Sequence, residues 1–72
     1  MTYLTDDALH DLRKLTRCRF ATLAPLARQV GISKAEINQA IFDRDPGGLA
    51  IMIVRKSYKA RHFRPALKAF FR

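Results

Sequence analysis

Apolar residues recur at helical spacing along most of this chain, interrupted by short polar or glycine-containing breaks. That rhythm predicts an all-α fold of four or five short helices around one core. Thr5, followed by Asp6 and Asp7, marks a helix start: the hydroxyl can cap free amides, and the acids sit at the positive end of the helix dipole. Leu9, Leu12 and Leu15 or Thr16 then repeat. Arg13, Lys14 and Arg17 load the far end, and the helix is expected to close near Cys18. Thr22 is the next expected cap, with Pro25 inside the first turn, where a missing N–H costs nothing. Leu23, Leu26, Ala27 and Val30 form the buried face, and Gly31 stands where a left-handed residue ends a helix most readily. Ser33 and Glu36 make an S-x-x-E capping box for a third helix, with Ile37, Ala40 and Ile41 facing inward.

The run DRDPGG, residues 43–48, is the clearest break in the chain. Asp45 followed by Pro46 is also a start signal, a cap and then a first helical position. Leu49 to Val54 is rich in Ile and Val, and a short buried run is not typed by periodicity alone. The Asp-Pro start and the want of a partner strand assign it to a helix reaching about Tyr58. A linker, KARHF, leads to Pro65, which opens a last short helix through Phe71. No repeat or low-complexity tract interrupts this order. The expectation is one domain over residues 1–72, with two helices and a turn at about 22–42 and basic helices over about 46–72.

Charge changes the picture. The chain has 72 residues, 14 Lys and Arg against 6 Asp and Glu, and a formal net charge of +8. Residues 1–36 hold six basic and four acidic groups; residues 37–72 hold eight and two, with no acid after Asp45. A polyanion is the natural partner class, ahead of a membrane surface. With 49% hydrophobic residues there is enough for one small core and a margin of about a few kcal/mol. Cys18 is the only cysteine, so no internal disulfide is possible. This fits a reducing, cytoplasmic setting and a half-buried thiol at a helix end. The opening MTYLTDD has no basic leader, so no signal peptide is expected, and no apolar run is long enough to span a bilayer.

Catalytic patterns are missing. There is no phosphate-cradling glycine loop and no Ser–His–acid order. Asp43 and Asp45 flank Arg44 in what reads as a turn. His10, His62 and one cysteine make no metal-ligand cluster. Neither an enzyme, a cofactor nor a metal site is expected.

Two helices packed tightly at about a right angle need a small residue at their contact, a glycine in the turn and apolar residues that lock the angle. Ala27, Gly31, and Leu26, Val30, Ile32 and Ile37 meet those needs in order. Over residues 22–42 the chain resembles the helix-turn-helix of bacterial and phage DNA-binding repressors. The resemblance implies sequence-specific double-stranded DNA binding, as a small transcriptional regulator. A homodimer is expected, since one short module reads few base pairs, with its contact in the C-terminal helices, where hydrophobes exceed what one small core needs. The second helix would then read bases through Ser33, Lys34, Ala35, Asn38 and Gln39. Asn and Gln can bond adenine with two prongs, and Ala can touch a thymine methyl. Backbone contacts are expected from Thr22, Arg28, Arg44, Arg55, Lys56 and Lys59, with Arg17, Arg19, Arg61 and Arg64 in support. Phe63, Phe70 and Phe71 are expected to seal the core or a dimer contact. Tyr58 is the aromatic best suited to stacking on a base.

From Phe20 onward the chain also resembles, more weakly, the C-terminal part of an uncharacterised all-helical domain family of alphaproteobacteria. LARQVGISKAEINQAI, DRDPGGLA and the aromatic-rich end carry that likeness. It implies a helical Leu49 to Val54. It also implies an alternative function, a protein–protein interaction module in a regulatory pathway, with the apolar faces of the last two helices docking a partner.

Overall fold

A computed structural model describes residues 5–60 and 64–71. Five helices, and no strand, occur among the described residues: α1 (Asp6–Leu15), α2 (Phe20–Gln29), α3 (Lys34–Phe42), α4 (Pro46–Lys59) and α5 (Arg64–Phe70). The all-α expectation therefore holds, and Leu49 to Val54 is helical.

Local chemistry accounts for most boundaries. Thr5 caps α1 by accepting from the Ala8 N–H at 3.2 Å. Ser33 does the same for α3 with the Glu36 N–H, also at 3.2 Å. Asp45 has two jobs. Its N–H bonds the Ala40 carbonyl at 3.0 Å, closing α3, while its carboxylate accepts from the Gly48 N–H at 2.9 Å, opening α4. A Cβ on Gly48 would run into that carboxylate, which explains a glycine in the first turn of a helix.

Four expectations are corrected. The second helix starts at Phe20, not after Thr22, and its N-cap, Arg19, makes no side-chain cap bond. Thr22 is thus a first-turn residue, and Pro25 lies in the helix interior. The bond Pro25 denies to the Ala21 carbonyl falls on the exposed side, where water can replace it. The first helix ends at Leu15 rather than near Cys18. Its inward stripe is Ala8, Asp11 and Leu15, while Leu9 is 42% exposed. Ile41, expected to face inward, is 43% exposed, because the nine-residue α3 buries only Ile37 and Ala40.

The core is one cluster. Leu15, Leu23, Ala27, Val30, Leu49, Ala50, Ile53, Val54 and Leu67 are fully buried, with Phe20, Met52, Phe70 and Phe71 packed against it. The long α4 is its axis and touches every other helix. A polar tie joins three of these helices. Asp11 on α1, only 3% exposed, accepts from the Tyr58 hydroxyl of α4 at 2.6 Å and from Lys68 Nζ of α5 at 3.4 Å. Tyr58 is therefore half-buried structure rather than a free stacking ring. Phe70 and Phe71 meet edge to face at 5.5 Å, and Lys14 Nζ lies 5.0 Å from the Phe71 centroid. No helix among the described residues is long and apolar enough to cross a membrane.

Candidate nucleic-acid interface

The turn between α2 and α3 is fixed by its backbone. Gly31 has φ 86, the left-handed region that side chains disfavour. Its N–H bonds the Arg28 carbonyl at 3.1 Å, and the Ile32 N–H bonds the Ala27 carbonyl at 3.0 Å. These two bonds form a Schellman closure. Ile32 and Ala27, the residues it ties, are both buried. The α3 helix follows two residues later and packs on α2 and α4 through Ile37 and Ala40.

With that inner edge buried, the opposite surface of α3 faces water. Ser33, Lys34, Ala35, Asn38 and Gln39 are all exposed. Glu36 shares the exposed surface, and Phe42, at the end of the helix, is 84% exposed. Gln39 is not idle: its Nε2 donates to both carboxylate oxygens of Asp43 at 3.1 Å. That i, i+4 pair is readable in sequence once a helix is assumed.

The expected backbone contacts are distributed over three places. Thr22 lines a groove of about 260 Å³ with Pro25, Leu26 and Gln29 of α2 and Ala66, Ala69 and Phe70 of α5. Arg28 is exposed in the last turn of α2. Arg44, just past α3, is exposed and holds φ 54. It occupies the same closing position as Gly31, its N–H bonding the Ile41 carbonyl at 3.1 Å. Arg55, Lys56 and Lys59 do come together. With Met52 they surround a concavity of about 230 Å³ on α4. Arg17 and Arg19 are exposed between α1 and α2. The expectations for Arg61, His62, Phe63 and the Arg64 side chain lie outside the described residues. The only ion pair among the described residues is Lys68–Asp11, so no α3 or α4 cation is paired with a described carboxylate. Cys18 is half-buried, its thiol on the Lys14 carbonyl at 3.6 Å. Among the described residues no group of three His, Cys, Asp or Glu is placed to hold a metal ion.

Comparison with family models, curated proteins and solved structures found no match. The chemistry of the surface is thus the basis for any functional reading.

Proposed function

We propose that this protein binds double-stranded DNA sequence-specifically, as a small transcriptional regulator of the helix-turn-helix kind acting as a homodimer. One observation carries the reading. A two-bond closure at Gly31 fixes α3 against α2, and Ser33, Lys34, Ala35, Asn38 and Gln39 are all exposed on a chain of charge +8. Asn38 and Gln39 supply the paired donor and acceptor that a base edge requires. Lys34, Arg28, Arg44, Arg55, Lys56 and Lys59 supply the positive charge that a duplex backbone attracts. Gln39 exchanges its exposed bond to Asp43 for one to a base.

The test is Asn38→Ala with Gln39→Ala. Preference for a specific over a random duplex falls by about tenfold or more, at about 1–3 kcal/mol per two-pronged contact, while affinity for random duplex holds. An unchanged preference removes α3 as the reading element. Exposed Ile41 and Phe42, adjacent at the end of α3, favour a second reading, a helical protein-docking module, because neighbouring unburied apolar side chains suit an apolar partner.

A further inference from the structure

The concavity on α4 is not a simple patch of positive charge. Met52, Arg55, Lys56 and Lys59 follow at i, i+3, i+4 and i+7, so they form one stripe, opposite the buried Ala50, Ile53, Val54 and Ser57. Arg55, Lys56 and Lys59 are exposed, whereas Met52 is half-buried at the N-terminal end of the stripe, one turn before Arg55 and Lys56. The floor is thus a thioether and the aliphatic stems of three long side chains, with the cationic heads at the rim. No carboxylate of the described residues pairs with any of the three, and like charges one turn apart repel.

A phosphodiester backbone satisfies only the rim, because its outermost atoms are anionic oxygens. An occupant that satisfies both rim and floor needs an apolar side chain with carboxylates beside it. We infer that this stripe docks an acidic helical segment of a partner protein, seating one apolar side chain on Met52 and carboxylates, one and two turns further along α4, on Arg55, Lys56 and Lys59. The inference builds on the DNA-binding reading: the segment takes cations that would otherwise hold phosphates, so it displaces the duplex and regulates binding.

The probe is a synthetic helical peptide with one leucine and glutamates one and two turns to one side of it, titrated against the whole protein by fluorescence anisotropy, with and without labelled duplex. The peptide is expected to bind and to compete with duplex. Replacing its leucine with serine, which leaves the protein untouched, weakens it by about tenfold, the worth of a partly buried aliphatic side chain. Met52→Gln weakens the leucine peptide to the same degree and leaves duplex affinity unchanged. Equal affinity of the leucine and serine peptides, or binding of duplex alone, overturns the inference while the DNA reading stands. Binding of the leucine peptide by a protein that ignores every duplex upholds the docking site and overturns the DNA reading and the regulatory role built on it.

Discussion

Arg44 and Gly31 occupy equivalent closing positions at the ends of consecutive helices, and only one of them is glycine. Holding a side chain at φ 54 costs about 1–2 kcal/mol. Arg44→Gly is therefore expected to raise stability by about 0.5–1 kcal/mol in urea denaturation, after the greater freedom of the unfolded glycine chain is set against it. On the DNA-binding reading, the same change is expected to lower duplex affinity by removing a phosphate contact. A variant both no more stable and no weaker in binding would deny that Arg44 is kept for its charge. Tyr58 makes a different point. Its hydroxyl meets a nearly buried carboxylate, so Tyr58→Phe is expected to cost about 1.5–3 kcal/mol, read as a lower thermal midpoint. A loss below about half a kcal/mol would mean that water replaces the hydroxyl at Asp11 without penalty.

Elements with a chemical start were the ones legible in sequence. Ser33 and Asp45 carry side chains that satisfy free amides, and each was followed by a helix where expected. Gly31 announced the turn because no other residue type meets a positive φ so readily. The start of α2 at Phe20 was not legible, because Arg19 gives no side-chain cap and the apolar pattern alone does not mark an edge. The outward turn of Ile41 and Leu9 was hidden for a related reason: short helices leave a single apolar residue free to fall on either side of the stripe. Asp11 was out of reach altogether. Its partners lie 47 and 57 residues away, and pairing over such separations leaves no local signature. The exposed face of α3 followed from the inward placement of Ile37 and Ala40. The place of Met52 at the edge of the core, one turn before the α4 cations, did not, since a methionine among hydrophobes reads as wholly buried. At this scale the salt dependence of binding is the informative quantity. Arg55→Ala with Lys56→Ala is expected to weaken binding to every duplex and to lower the log–log salt slope by about 2. An unaltered slope would assign the phosphate contacts to other helices.

The described residues of the molecule span 29 × 24 × 21 Å, less than the roughly 34 Å of one turn of duplex. On the DNA-binding reading, a single copy would reach one half-site, and a pair of copies would be needed to read two. Its charge of +8 supplies nonspecific attraction whatever α3 does, so weak binding to any duplex proves little. Discrimination is the property that separates a reader from a merely basic protein. The most direct measurement is selection from a random duplex library, followed by titration of the winning and scrambled sequences at low and physiological salt. The account predicts a recurring site, a preference that survives added salt, and loss of that preference in the Asn38→Ala, Gln39→Ala protein. Recovery of no common sequence, with affinity that decays equally for all duplexes as salt rises, would contradict it.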